Sequence, residues 1–307
     1  MSKAKPVNQM TIGQFETMFP DEDACCAYLV AHRWPEGVAC PRCGNADVHP
    51  VSTMPWHWQC YQCAPGSGYR FSHLVGTVFE NTNKPLRDWY RVIHMMLTSK
   101  KGVSALQVHR VMGTGSYRTA WYMCHRIRAG MQDQEFCKLV GIVEVDETFI
   151  GGKAGNRHKN KRGKGDDNEG GRGGIGSGKT PVAGAVSRKG NVCARVVEGV
   201  GADALTAFVR ECVSNKVSLL CTDQWTGYRH IKSEYPHKVI HHSKGEYVVG
   251  AIHTNTIEGF WSILKRGMVG TFHKVSKKYL PLYVAEFQFR YNHREDGDIF
   301  GAAIRGC

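Results

Sequence analysis

The sequence predicts an α/β protein in which a mixed-sheet domain follows a small cysteine-containing module and a helical region. From Gly141 onward, runs of β-forming residues alternate with helical patterns near 202–213 and 255–292, as expected of a mixed α/β domain. Before that domain, residues 85–134 have helical periodicity, and residues 36–72 hold four cysteines in two C-x2-C pairs. These three observations define the predicted fold class.

The predicted elements divide the chain into four regions. Residues 1–35 are a helical arm that ends at Trp34-Pro35, because proline stops a helix. Residues 36–72 are the cysteine module, and residues 73–138 are the helical region. Residues 139–307 are the mixed-sheet domain, which a basic, glycine-rich loop interrupts at 151–179.

The composition indicates a polyanionic partner. The chain has 307 residues, with 40 Lys and Arg against 27 Asp and Glu and a net charge of +13, an excess typical of nucleic-acid binding. No apolar run approaches the roughly 20 residues of a membrane span, and MSKAKPVNQM lacks the apolar core of a secretory signal. We therefore expect a cytosolic protein with no membrane partner. The eight cysteines outside the two pairs are scattered, so we expect no structural disulfide.

The two cysteine pairs predict a zinc site. Cys40, Cys43, Cys60 and Cys63 follow the pattern C-x2-C, sixteen residues, C-x2-C, which lies within the spacing of four-cysteine zinc sites. Four thiolates complete a tetrahedral shell, so the Zn²⁺ is expected to be structural. Two disulfides or four unliganded thiols are the alternatives. His57 and His73 are expected to lie outside the shell.

A glycine-rich stretch, GGIGSGKT at residues 173–180, fits the G-x-x-x-x-G-K-[ST] pattern of phosphate-binding loops. Such a loop requires a buried strand before it and a helix that begins at the Lys-Thr. Here the preceding residues are polar and glycine-rich, and the following TPVAGAV is β-forming. We therefore expect a basic loop that leads into a strand at Thr180, rather than an ATPase site.

Residues 103–129 have the pattern of a helix-turn-helix. Ser104 can cap a helix through Val111, Gly113 to Gly115 supply a turn, and Ser116 can cap a second helix through about Ala129. The predicted shared core is Ala105, Leu106, Val108, Val111, Ala120, Trp121, Cys124 and Ile127. The side chains expected to contact DNA are Arg110, Arg118, Arg126 and Arg128. A helix pair that serves only a core is the alternative.

Two aspartates are candidate catalytic residues on strands. In GIVEVDETFI, Glu144, Asp146 and Thr148 share one strand face, and a carboxylate in an apolar strand requires a cation or a donor nearby. Asp223 follows the apolar run VSLLCT, at the kind of strand end where ligand sites collect. An Asp-turn is the alternative for Asp223.

A third acidic candidate lies on the helix predicted by HTNTIEGFWSILKRG. Its apolar residues recur at helical spacing, and Asn255, Glu258 and Lys265 then lie on another face. The alternative for Asn255 and Glu258 is a capping box that begins the helix.

Several motifs, in one order, resemble the DDE-superfamily insertion-sequence transposases of bacteria, in the group with an amino-terminal zinc ribbon. They are RWPEGVACPRCG, GTVFENTNKPLRDWY, SALQVHRVMG with TAWYMCHRIR, VEVDETFIGGK, KTPVAGAV, TDQWTGY, HTNTIEGFWSILKRG and FRYNHR. The resemblance implies a ribonuclease H-like domain in which Asp146 and Asp223 are the first two acids of a triad that holds Mg²⁺ or Mn²⁺. The group has Asn or Glu, followed by Lys, at the third position, so Asn255 and Glu258 both stay candidates. We favour Glu258 because a carboxylate is the better magnesium ligand, and we expect Lys265 to contact a phosphate.

The function implied by the resemblance is a DNA transposase. It would bind the ends of an insertion sequence, cleave DNA to expose a 3′-OH, and join that end to target DNA by two-metal phosphoryl transfer. Its expected partners are double-stranded DNA and further copies of the chain, as a homodimer or higher oligomer on DNA, in the bacterial cytoplasm at the nucleoid. The alternatives are a DNA-binding regulator without catalysis and a metal-dependent nuclease without strand transfer.

Overall fold

The computed structural model describes residues 10–132, 137–152, 178–223, 225–240 and 254–307. These residues belong to two units, one running to Gln132 and including His293–Cys307, the other comprising Asp133–Asn292. In the described ranges, no helix is long and apolar enough to cross a membrane.

The first unit begins with helices α1 (Ile12–Met18) and α2 (Glu22–Arg33), which lie in the region where the sequence predicts a helical arm. Thr11 and Gln14 form a capping box at α1, and the Asp21 side chain caps α2. A three-stranded antiparallel sheet follows, made of β1 (His49–Pro50), β2 (His57–Cys60) and β3 (Tyr69–Ser72). Helices α3 (Leu86–Thr98), α4 (Ala105–Met112) and α5 (Tyr117–Gly130) complete this part of the chain.

The second unit is built on a five-stranded mixed sheet. Its strands are β4 (Ile142–Ile150), β5 (Thr180–Ser187), β6 (Val192–Val196), β7 (Leu219–Thr222) and β8 (His237–Val239), in the order β6-β5-β4-β7-β8. Strands β5 and β6 pair antiparallel, as do β4 and β5, whereas β7 is parallel to both β4 and β8. The strand at Thr180 confirms the prediction for the glycine-rich stretch, because a phosphate-binding loop would require a helix there.

Helices cover both faces of this sheet. Helix α6 (Ala202–Cys212) packs on one face, where Val143, Val145 and Leu220 contribute to its apolar core. Helices α7 (Asn255–Gly267) and α8 (Leu280–Asn292) supply the core of the other face, and a π-helical turn at Met268–Phe272 extends α7. The residues that the sequence assigned to the apolar side of α7, including Ile257, are all buried there.

Helix α9 (Ile299–Gly306) ends the chain and belongs to the first unit. The sequence predicts a mixed-sheet domain that reaches residue 307, so the second unit differs from it over residues 293–307. The reason is aromatic packing, since Phe300 of α9 contacts the rings of Phe15, Phe19, Tyr28 and Tyr90 in the first unit.

One expectation about the cysteines is wrong. Cys193 on β6 and Cys212 on α6 form a disulfide in the structure, whereas the sequence predicts no structural disulfide. The fold brings them together because both side chains belong to the core between the sheet and α6, which sequence spacing alone does not indicate.

Candidate functional site

The four paired cysteines converge in the first unit. The Sγ atoms of Cys40 and Cys63 lie 3.6 Å apart and those of Cys43 and Cys60 lie 3.8 Å apart, and all four lie within 4.8 Å of one another. Four sulfurs at these distances match the shell of a structural Zn²⁺. Neither His57 nor His73 belongs to the cluster, as predicted.

The cysteine cluster packs into a small apolar core. Cys40 and Cys60 are buried with Phe71, and Trp34, Trp58 and other rings pack against them. Cys60 ends β2, and β2 pairs with β3. The sheet thus holds one C-x2-C turn in place, while the hydrogen bond from the Gly44 amide to the Cys40 carbonyl (2.8 Å) closes the other.

Helices α4 and α5 lie where the sequence predicts a helix-turn-helix. The Ser104 side chain accepts from the Gln107 amide, Gly113 adopts the left-handed conformation (φ 59°), and the Ser116 side chain accepts from the Thr119 amide, so both caps and the turn are as predicted. Arg110 and Arg118 are exposed on this pair.

The other two arginines of the predicted DNA surface have different environments. Arg128 is only 1% exposed, because it lies on the stripe of α5 that also buries Cys124 and Ile127. The Arg126 guanidinium donates to the Glu80 carbonyl (3.0 Å). The prediction for Arg128 is therefore wrong, and Arg126 is partly engaged within its own unit.

The predicted core of the helix pair also requires correction. Leu106 is 44% and Val111 is 59% exposed, although the sequence assigns both to the core. On α4 the buried residue is Val108. Leu106 projects from the opposite side of the helix, and Val111 is exposed in the last turn.

Asp146 lies on β4, on the face covered by α7. Its neighbour across the sheet is Gly184, and its Oδ2 accepts from the Trp261 indole N–H of α7 (3.1 Å). Burial, and then the charge of Asp223, raises the pKa of Asp146 to about 7. Glu258 also raises the pKa of Asp146. Asp223 and Glu258 therefore each lie within electrostatic reach of Asp146.

Asp223 follows β7 and begins a turn. Its Oδ1 accepts from the Trp225 amide (3.0 Å), so the Asp-turn considered from the sequence is formed. The charge of Asp223 nevertheless raises the pKa of both Asp146 and Glu147, so this carboxylate lies within electrostatic reach of β4.

Asn255, Glu258 and Lys265 are exposed on one side of α7, as predicted. The capping box proposed for Asn255 and Glu258 is absent, because the N-cap residue is Thr254 and it makes no side-chain bond to the backbone. Instead, the Thr254 hydroxyl donates to Oε1 of Glu258 (3.0 Å). Asn255 is thus not the helix cap, and Glu258 is held by a neighbouring hydroxyl.

Glu144 and Glu147, both on β4, also belong to this region. No role was assigned to either of them from the sequence. Burial raises the pKa of Glu147 to about 7, and its Oε2 accepts from the Tyr228 hydroxyl (2.5 Å). Glu144 is completely buried and contacts Arg188 and the first turn of α7. The role of Glu144 could have been suspected from the sequence, because a charged residue inside an apolar strand requires a partner. For Glu147 the sequence gives no such indication, because its partner Tyr228 is distant in the chain.

The acids fit divalent cations in their chemistry. Carboxylate oxygens are the ligands that Mg²⁺ and Mn²⁺ prefer. In the described ranges, no Lys, Arg or His side chain forms an ion pair with Asp146, Asp223 or Glu258. The acids are spaced more widely than the cysteine sulfurs, since only the cysteines among described residues have every ligand atom within 4.8 Å.

A cavity of about 460 Å³ opens at the end of β4. Glu147, Lys265, Lys179 and Val269 are among its lining residues. The cavity therefore has two basic side chains, an acidic one and an apolar one in its lining. The acidic residue, Glu147, directly follows Asp146 in the sequence.

Comparison with known proteins adds family relationships. Residues 138–292 match the family model described as the ISXO2-like transposase domain, and residues 20–65 match the transposase zinc-ribbon domain. The chain is also 27% identical over 277 residues to an uncharacterized protein in transposable element ISH50 of Halobacterium salinarum, covering 89% of this chain and 91% of that protein. No solved structure matches the chain.

Proposed function

Because the chain belongs to the ISXO2-like transposase family, we propose that it is a DDE-type DNA transposase with a ribonuclease H-like catalytic domain. It binds the ends of an insertion sequence, cleaves DNA to expose a 3′-OH, and joins that end to target DNA. The observation that carries the proposal is the placement of three acids on adjoining elements: Asp146 on β4, Asp223 directly after the neighbouring strand β7, and Glu258 on α7, the helix whose Trp261 donates to Asp146. The five-stranded mixed sheet with helices on both faces supports the fold assignment.

In this proposal Asp146, Asp223 and Glu258 hold Mg²⁺ or Mn²⁺. The bound cations supply charge neutralisation on the phosphate and activation of the attacking oxygen. The Trp261 N–H orients Asp146, the Trp225 amide orients Asp223, and the Thr254 hydroxyl orients Glu258. Each acid thereby has one donor that fixes its side chain before DNA arrives, which is the preorganisation that catalysis requires.

Lys265 has a separate role. It is exposed on α7, on the same side as Glu258, and it lines the cavity at the end of β4 together with Lys179. Two cationic side chains that line one cavity favour a phosphate-bearing strand. We infer that Lys265 contacts a phosphate beside the scissile bond.

The first unit supplies DNA recognition in this proposal. Arg110 and Arg118, both exposed, contact phosphates or base edges from the helix-turn-helix, and Arg126 contributes at its margin. The four-cysteine module binds Zn²⁺ as a structural ion. The basic loop, predicted at residues 151–179, lies almost entirely outside the described residues and is proposed as a nonspecific DNA contact. The protein acts as a homodimer or higher oligomer on DNA, in the bacterial cytoplasm at the nucleoid.

One incubation tests the proposal. Purified protein, labelled DNA of the element's ends, a target plasmid and Mg²⁺ are combined, and the products are separated by size. A transposase yields cut ends and labelled plasmid joined to them. Cuts without joined products would identify a nuclease, and binding without cuts would identify a DNA-binding regulator.

A further inference from the structure

A buried carboxylate next to the acidic triad has no assigned role. Glu144 lies on β4, two residues before Asp146, and is paired with Val186 of β5 and Cys221 of β7. Its side chain is completely buried. A buried carboxylate is costly unless donors and a counter-charge surround it, so its partners indicate its purpose.

The partners of Glu144 come from two directions. Its Oε1 accepts from Nε of Arg188 (2.8 Å) and from the Thr256 hydroxyl (2.9 Å). Its Oε2 accepts from the backbone amides of Thr256 (2.8 Å) and Ile257 (3.1 Å). These amides occupy the second and third positions of α7, which are the groups that an N-cap side chain normally satisfies.

Glu144 therefore caps α7 from a strand that lies more than a hundred residues earlier in the chain. The residue at the N-cap position, Thr254, makes no such bond, and its hydroxyl donates to Glu258 instead. The negative charge of Glu144 also lies at the positive end of the helix dipole. The strand carboxylate thus substitutes for the local cap and leaves Thr254 available to Glu258.

A second contact lies one turn further along α7, where Trp261 donates to Asp146. Glu258 is located between the two contacts, after Ile257 and before Trp261. Glu144 and Asp146 lie on the same face of one strand, so this part of α7 is attached to β4 at both ends. Displacement of the first turn would move Glu258 relative to Asp146.

We propose that Glu144 is a positioning residue, which holds the first turn of α7 against β4 and so fixes Glu258 at the distance from Asp146 that cation binding requires. This inference rests on the proposed function, because Glu258 and Asp146 must share the cation site. Glu144 itself contacts neither DNA nor cation. Its effect is transmitted through the backbone of Thr256 and Ile257.

The test compares Mn²⁺ binding with folding stability in full-length, zinc-loaded protein. Glu144→Ala removes the cap and is expected to raise the half-saturating Mn²⁺ concentration by about 10- to 100-fold, as loss of an outer-shell partner does. Glu144→Gln retains only one acceptor oxygen for four donors, and an increase of about threefold or more is expected on the same basis. Binding is measured by the Mn²⁺ electron paramagnetic resonance signal, and stability by thermal unfolding.

The matched control is Val209→Ala, which removes buried volume from α6 on the opposite face of the sheet. It should lower the melting temperature while leaving Mn²⁺ binding within about twofold of the original protein. Glu144 variants that fold and bind Mn²⁺ like the original protein would overturn the inference, as would an equal loss of Mn²⁺ binding in Val209→Ala. If Glu144→Ala does not fold, Glu144→Gln decides alone.

The same measurement separates this inference from the proposed function. In the original protein, Asp146→Asn should abolish Mn²⁺ binding. If it does not, the acids do not hold the cation and both proposals are wrong. If it does and the Glu144 variants still bind Mn²⁺ normally, only the positioning role is wrong.

Discussion

At the scale of single residues, the open choice is between Glu258 and Asn255 for the third catalytic position. Glu258→Gln should keep the fold and DNA binding and reduce cleavage and strand transfer by a factor of about 100 or more, because an amide is a much poorer magnesium ligand than a carboxylate. Asn255→Ala should leave stability within about 0.5 kcal/mol, as for other exposed sites, because Asn255 is exposed and does not cap α7. Gel assays of both reactions, with melting temperatures, provide the measurement.

Asp146→Asn and Asp223→Asn are the controls in that assay, and both should be inactive. An active Glu258→Gln protein beside a stable, inactive Asn255→Ala protein would assign the third position to Asn255. Activity in either control would remove the two-cation proposal.

The raised pKa of Asp146 gives a pH prediction. Burial raises it from 3.8 in the unfolded chain to about 7 in the folded protein, so the folded state binds the proton more tightly. The stability that this proton contributes is fully present below the unfolded pKa and is lost as pH rises through about 7. In magnesium-free buffer, the melting temperature should therefore fall between pH 5.5 and pH 8, by about 2 to 4 °C for each kcal/mol lost.

Thermal unfolding of the Asp146→Asn variant isolates this effect, because the amide does not titrate in that range. The variant should lose part of the pH dependence, and added Mg²⁺ should reduce it in the original protein. A pH dependence that is the same in both proteins would show that Asp146 does not titrate near pH 7.

At the scale of elements, the close contact between β5 and α7 requires glycine at position 184. A Cβ at Gly184 would lie 2.5 Å from the Trp261 ring and 3.1 Å from Ile257. Gly184→Ala should therefore displace Trp261, break its bond to Asp146, and cost about 1 to 3 kcal/mol, as overpacking does. Cleavage should fall as well. Gly199→Ala is the control, since nothing lies within 4 Å of the added methyl group, and equal melting temperatures for the two variants would contradict the packing argument.

The helices and strands that carry the candidate site were predictable because their signals are local. The caps Ser104 and Ser116 gave the helix-turn-helix, and alternation in GIVEVDETFI gave the face of β4 that carries Asp146. The cap of α7 was not predictable, because its acceptor is Glu144, far away in the chain. The burial of Arg128 was not predictable for a similar reason. Arginine is usually exposed, and its burial here depends on how α5 packs in the folded protein.

The cysteine module gives a second prediction at this scale. Cys40→Ser with Cys43→Ser should reduce the bound zinc from about one equivalent to none, because two sulfurs cannot complete a tetrahedral shell. The small core around Phe71 should then unfold, as structural zinc sites do without metal. Metal analysis and circular dichroism provide the measurement. Cys137→Ser, at an exposed cysteine outside the cluster, is the control, and full zinc content in the double variant would remove the assignment.

At the scale of the whole molecule, the chain has a net charge of +13 and consists of two units. The first unit carries the zinc cluster and the helix-turn-helix, and the second carries the acids and the cavity with Lys265. The arginines proposed to contact DNA and the acids proposed to hold cations thus belong to different units. DNA binding and cation binding should therefore be separable by substitution.

This separation gives the final prediction. Affinity for the element's ends should fall steeply with salt, since each phosphate contact adds nearly one to the slope of log affinity against log salt concentration. Arg118→Ala, in the exposed part of α5, should weaken binding and reduce that slope by about one, while Mn²⁺ binding is unchanged. Arg305→Ala removes the same charge from an exposed position on α9 and should leave the slope as it is. Gel-shift titrations at several salt concentrations measure both variants, and an equal decrease in both would mean that only net charge, and not the helix-turn-helix, attracts DNA.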